Sequence, residues 1–98
     1  MDLYAIRRRN EWRSPEELEK TAAKSSEIGG EMSDQVRWIR SYVTNDEDGT
    51  LGTICIYEAV SPEALRDHAK RVGMPADEIT AIADTVIVRP DPEKAATA

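Results

Sequence analysis

His68 is the one histidine in 98 residues, and it stands where the surrounding helical pattern calls for an apolar side chain. An imidazole in such a place can tie off a backbone group as a satisfied structural residue, serve as a general base or substrate hydrogen-bonding group, or ligate a metal. Helix rise and strand rise set it about 10 Å from the strand-to-helix corner, level with Ile56, with Glu58 nearer the corner. A carboxylate–imidazole contact is within reach of that placement; the plainer alternative is a Glu58 that emerges into solvent at its strand end. Imidazole-bound transition metals normally take three or four protein ligands, so a metal at His68 needs help. Glu58, Tyr57 and Cys55 supply that only in part, because Cys55 and Tyr57 alternate away from Glu58 along a strand.

Cys55, the only cysteine, lies mid-strand in Thr-Ile-Cys-Ile-Tyr, where a free thiol behaves as a small buried hydrophobe. A nucleophile would need a lowered pKa and a base beside it, and the sequence offers neither. Trp38, Tyr42 and Tyr57 read as filling for a core or a dimer interface, or as walls of a ligand cage. Arg7, Arg8, Arg9 and Arg13 make the N-terminal strand locally basic. They form solvated strand ends, an anion-recognising rim, or a nucleic-acid contact, the last opposed by a net charge of −6. There is no glycine-rich phosphate loop, no serine elbow and no calcium-loop spacing of acids.

The elements that must hold these residues follow from pattern. Asp2 to Arg8 reads as a first strand. Ser14-Pro15-Glu16-Glu17 opens a helix with a cap, a proline at the first helical position and a capping-box glutamate, and Gly29-Gly30 is expected to stop it. Val36 to Val43 is a second strand, with Val36, Trp38, Arg40 and Tyr42 expected on one face and Arg37, Ile39, Ser41 and Val43 on the other. Asn45 to Thr50 is a hairpin turn into a third strand, Leu51 to Ala59. Ser61-Pro62-Glu63 opens a second helix with Ala64, Leu65, His68, Ala69 and Val72 on its buried face, ended by Gly73. Ile79 to Arg89 contains a fourth strand, its signal strongest at Thr85 to Val88.

Ser14, Pro15, Glu16, Leu18 and Ala22 recur as Ser61, Pro62, Glu63, Leu65 and Ala69 at one offset of 47 residues, which suggests a duplicated βαβ half. Two such halves predict an α+β domain of ferredoxin-like βαββαβ order, a four-stranded antiparallel sheet with two helices on one face. A single domain over residues 1–90 and a flexible C-terminal tail over 91–98 are expected. The other sheet face is left bare, and Trp38 and Tyr42 on it would be costly to leave wet, so a homodimer is expected.

Hydrophobic residues make up 40% and charged residues 33%, an ordinary globular balance. The longest apolar run falls far short of the roughly 18 residues of a spanning helix. Asp2 and the arginine cluster interrupt what a signal peptide would need, and one cysteine allows no intramolecular disulfide. A cytoplasmic protein without nucleic-acid or membrane partners is expected.

Taken as a set, Ser41-Tyr42-Val43, Cys55-Ile56-Tyr57-Glu58-Ala59, His68-Ala69 and Gly73-Met74-Pro75-Ala76-Asp77-Glu78-Ile79 resemble a family of small proteins named for a nickel-binding member. The likeness runs from about Leu3 to Pro90. It implies a ferredoxin-like fold, usually dimeric, and for the named member a nickel site built with several histidines. Only His68 carries over, because Arg7 to Arg9 and Val36 to Arg40 stand where the nickel-binding type is histidine-rich. The expected function is a dimeric binding module holding a divalent metal such as nickel, or a small anionic ligand, with Tyr42, Tyr57, Glu58 and His68 as ligand-binding residues. The alternatives are a cofactor-light enzyme of the dimeric α+β barrel kind, acting on a small aromatic or hydrophobic molecule with His68 as base, and a plain interaction module.

Overall fold

A computed structural model describes residues 1–92; the remainder of the expected tail, 93–98, lies outside the described residues. The order is β1 (Asp2–Trp12), α1 (Pro15–Glu31), β2 (Val36–Asn45), a 3-10 turn (Glu47–Gly49), β3 (Leu51–Ala59), α2 (Pro62–Val72) and β4 (Glu78–Ala81). The strands form one sheet in the order β2-β3-β1-β4, with every neighbouring pair antiparallel. This is the ferredoxin-like α+β arrangement that the duplicated helix starts predict.

Both helices begin as their sequences dictate. The Ser14 hydroxyl accepts from the Glu17 N–H and the Ser61 hydroxyl from the Ala64 N–H, each at 3.2 Å, with a proline in the first turn. Glu17 reaches one residue beyond the cap, its carboxylate accepting from the Arg13 N–H at 2.8 Å. α2 ends as expected, on Gly73 at φ 92. α1 does not stop at Gly29-Gly30; it runs on to Glu31, with Met32 as its C-cap. Met32 is 3% exposed, and burying it draws the last turn onto the core against the roughly 1 kcal/mol that each helical glycine costs.

The helix-facing side of the sheet carries Tyr4, Ile6 and Arg8 of β1 and Thr53, Cys55, Tyr57 and Ala59 of β3, all buried. β2 departs from strict alternation. A bulge between Trp38 and Arg40 makes Ile39 an extra residue in the ladder. Val36 and Trp38 before it, and Ser41 and Val43 after it, pair with helix-facing β3 residues, whereas Arg40 and Tyr42 turn to the open face. Trp38 therefore does not share a face with Tyr42.

The fourth strand falls at the start of the stretch expected to contain it, not at Thr85 to Val88. Glu78 to Ala81 pair with Arg7 to Tyr4, and the Ile82 N–H still reaches the Leu3 carbonyl at 3.0 Å. Beyond that point β1 has run out, so Thr85 to Val88 have no strand to pair with despite their β propensity. The chain instead passes to the β2 side of the open face, where the Asp91 carboxylate meets Arg40 at 3.1 Å and the Tyr42 hydroxyl at 2.7 Å.

The core gathers Tyr4, Ile6, Met32, Val36, Cys55, Tyr57, Ala59, Ala64 and Leu65. α2 buries five side chains, Ala64 and Leu65 among them in this core; α1 buries Ser25 and packs Ile28 against the core.

The end of β1 is fastened to the β2–β3 hairpin. Asn10 adopts a positive φ of 52 and its N–H donates to Asp46 at 2.8 Å, while Arg7 forms an ion pair with the same carboxylate at 3.1 Å. The Asn10 hydrogen bond, with help from Thr44 and Arg7, holds the Asp46 carboxyl below the usual range. A depressed acid stabilises the fold above its unfolded pKa of about 3.9 and loses that contribution as pH falls through the folded value. Asp46→Asn should flatten the acid limb of a stability-against-pH curve below about pH 4; an unchanged limb would count against this fastening.

Candidate functional site: a cleft between the first helix and the sheet

Because α1 lies lightly on the sheet, a cavity of about 250 Å³ opens beneath it. Leu18, Thr21, Ala22 and Ser25 form its roof, and Arg8, Thr53, Cys55, Tyr57, Trp38, Ser41 and Val43 its floor, with Trp12 and Met74 also in its wall. Trp12 is held by its indole N–H, which donates to the Thr21 hydroxyl at 3.0 Å. Trp38 stacks on Tyr57 with ring centroids 6.3 Å apart.

The polar groups behind the apolar wall of the cleft are unusual. Arg8 is 2% exposed, and a guanidinium keeps its charge at any ordinary pH. Its Nε donates to the Pro75 carbonyl at 2.6 Å and its Nη1 to the Cys55 sulfur at 3.5 Å. Among the described residues its Nη2 has no partner, nor do the buried hydroxyls of Ser25 and Thr53. Burial pushes the Tyr57 phenol upward against the opposing influence of Arg8 and Ser25, so it stays protonated.

Of the residues singled out in the sequence, the structure brings Tyr57 and His68 together, edge to face with centroids 5.8 Å apart. It separates them from the other two. Glu58 lies on the open face, where it meets Arg37 at 3.3 Å, and Tyr42 lies there with Asp91. Of the two readings of Glu58, the structure shows the plainer one: it lies on the opposite side of the sheet from His68, so the two do not meet. His68 is 2% exposed, and its Nε2 stands 3.1 Å from the Ser25 carbonyl. A carbonyl only accepts, so this nitrogen carries the proton and ties α2 to α1. Burial lowers the imidazole pKa, the Ser25 bond notwithstanding. His68 is not part of the cleft wall.

Ser25, Thr53 and Trp12 are the cleft residues that sequence reasoning passed over, and Arg8 was read as one of a basic cluster at the strand ends and not as a buried residue. A signal existed for Arg8: it continues the inward alternation of Tyr4 and Ile6. Trp12 had none, because the irregularity between Arg8 and Trp12 that re-aims it cannot be read from composition.

A profile of the family described as nickel responsive protein SCO4226-like matches residues 4–82. The chain belongs to the SCO4226-like family. The crystal structure of SCO4226 from Streptomyces coelicolor A3(2) is similar in fold, with a TM-score of 0.70 at 19% identity over 86% of this chain and 99% of that one. No curated protein sequence matches the chain.

The nickel in the description of the SCO4226-like family asks for a donor set, and the arrangement at His68 does not fit one. Its Nε2 faces a backbone carbonyl, and among the described residues no three His, Cys, Asp or Glu side chains are grouped to hold an ion. No helix among the described residues is long and apolar enough to cross a membrane.

Proposed function

We propose that the chain is a cytoplasmic small-molecule binding protein that works as a homodimer, with its ligand lodged in the cleft beneath α1. The observation that carries this reading is a cavity of about 250 Å³ whose accessible wall is apolar, with both tryptophans of the sequence, Leu18, Ala22, Val43 and Met74 around it. A small apolar molecule lodged there would take that surface out of water, at roughly 25 cal/mol for each Å² covered. The volume falls just under the roughly 300–1,000 Å³ of sites for drug-sized ligands, so the ligand is small. His68 enters this reading as the cross-link between the helices, neither base nor metal ligand.

The homodimer is supported by the open face. Val86, Ile87 and Val88 are 84%, 73% and 86% exposed, and the first two line a surface hollow with Ile39, Tyr42 and Ile56. A contiguous apolar patch of that kind marks an association surface, and a two-fold pairing covers it with its own copy. A single buried thiol accords with a reducing compartment.

Sedimentation at micromolar concentration should give twice the 10.9 kDa chain mass, and Ile87→Asp should shift it to one. A monomer that ignores the substitution removes the dimer from the proposal. For the cleft, a thermal-shift screen of small organic molecules should yield compounds that raise Tm, and their effect should vanish in Ala22→Phe, which fills the cavity. Hits that survive Ala22→Phe, or a screen with none, would remove the cleft.

A further inference from the structure

The chain beyond β4 crosses a face that it does little to cover. The sheet lets go of it at Ile82, whose N–H donates to the Leu3 carbonyl at 3.0 Å. Further on, the Asp91 carboxylate sits between Arg40 Nη1, at 3.1 Å, and the Tyr42 hydroxyl, at 2.7 Å. Between these two attachments Val86 and Ile87 line the hollow of the open face with Leu3, Ile39, Tyr42 and Ile56, yet they and Val88 remain largely exposed. Thr85 to Val88 take no part in the sheet. Holding a segment in place costs chain entropy that burial or backbone pairing must return, and in the single chain this arm has little of either. The arm also lies beyond residues 4–82, the stretch that the family profile matches.

Resting on the homodimer reading, we infer that the two copies exchange this arm, residues 83–92, each laying it on the open face of the other with Asp91 of one copy on Arg40 and Tyr42 of its partner. Two sheets packed face to face stand about 10 Å apart, a gap filled by their own side chains. An arm kept on its own face occupies that gap and holds the second copy off. Swung outward, the same arm reaches the facing sheet, because the nine residues from Ile82 to Asp91 extend to about 30 Å. It meets there the same hollow and the same charge partner that it meets at home, so exchange gives up neither the Val86 and Ile87 contacts nor the Asp91–Arg40 pair. What it adds is enclosure of Val86 to Val88 between two sheets. A two-fold axis makes the exchange reciprocal, and trading an identical element is a low-cost route to a dimer.

The test swaps the two charges between two variants of the full chain, Arg40→Asp and Asp91→Arg. Alone, the first sets two carboxylates against each other and the second two guanidinium groups, whether the arm is exchanged or kept. Mixed in equal amounts, they repair each other only by exchange, since each arm then lands on a partner of opposite charge. Native mass spectrometry in dilute ammonium acetate, where exposed charges are weakly screened, should show the mixed dimer rising from the statistical half to about three quarters of all dimer. Arg66→Asp and Asp67→Arg on the exposed side of α2 change the net charges equally and should mix at one half. A mixed dimer of Arg40→Asp and Asp91→Arg at one half, or variants that have lost the dimer and do not regain it on mixing, would overturn the exchange while the homodimer of the unmodified chain stands. An unmodified chain that is itself monomeric would remove the homodimer on which the inference rests.

Discussion

Gly52→Ala should lower the free energy of unfolding by about 3 kcal/mol, read from the midpoint and slope of a urea curve. A Cβ at this position would overlap the Arg8 carbonyl and the Asp46 carboxylate and stand 2.8 Å from Arg7 Nη1. The Arg8 carbonyl is backbone of the central strand β1 and cannot swing aside, and the carboxylate is the one that fastens Arg7 and Asn10. The substitution therefore both overpacks a strand and disturbs that ion pair. Gly30→Ala is the matched comparison, because its Cβ meets nothing within 4 Å and the position is helical. It should stabilise by about 0.5–1 kcal/mol. Similar outcomes for the two glycines would show that close approach at Gly52 is not what sets its identity.

His68→Ala should cost about 2–4 kcal/mol, through a cavity beside Tyr57 and a Ser25 carbonyl left without its donor. The same residue gives the fold a pH dependence. Its folded pKa is depressed, so the unfolded chain takes up the proton first as pH falls. Stability is fully present above the unfolded histidine value of about 6.5 and is lost as pH drops from there toward the folded pKa. Unfolding curves at pH 7.5 and 5.5 should separate for the natural sequence and draw together in His68→Gln. Curves that stay equally far apart in both would assign the effect to another group.

Much of the fold was legible because its punctuation is local. Ser14-Pro15 and Ser61-Pro62 cap helices by short-range hydrogen bonds, and Gly73 supplies a left-handed turn, so a linear reading finds them. The misplaced features depend on distant partners. Thr85 to Val88 have strand-forming side chains, but whether they pair is decided by where β1 begins. Trp38 and Tyr42 were separated by a single bulged residue. Gly29-Gly30 failed to end α1 because Met32 had a core to enter. The cleft was hidden for a related reason: Arg8 was seen as part of a basic triplet, and only the sheet shows that its neighbours find acids while it does not.

The two halves of the molecule, which begin their helices with the same residues, have ended in different physical states. α2 is bolted down by Ala64, Leu65, His68, Ala69 and Val72, whereas α1 is anchored by Ser25 and, near its C-terminal end, by Ile28 and the cap Met32, and its N-terminal part roofs a hollow. Local opening free energies follow buried contact, so the N-terminal part of α1 opens at less expense than α2. That makes the roof its own doorway: a ligand needs no channel if the helix above it can lift by a partial, reversible unfolding. A ligand bound there would stand in for the packing that this part of α1 lacks, and its concentration would become a variable in how long the folded chain persists.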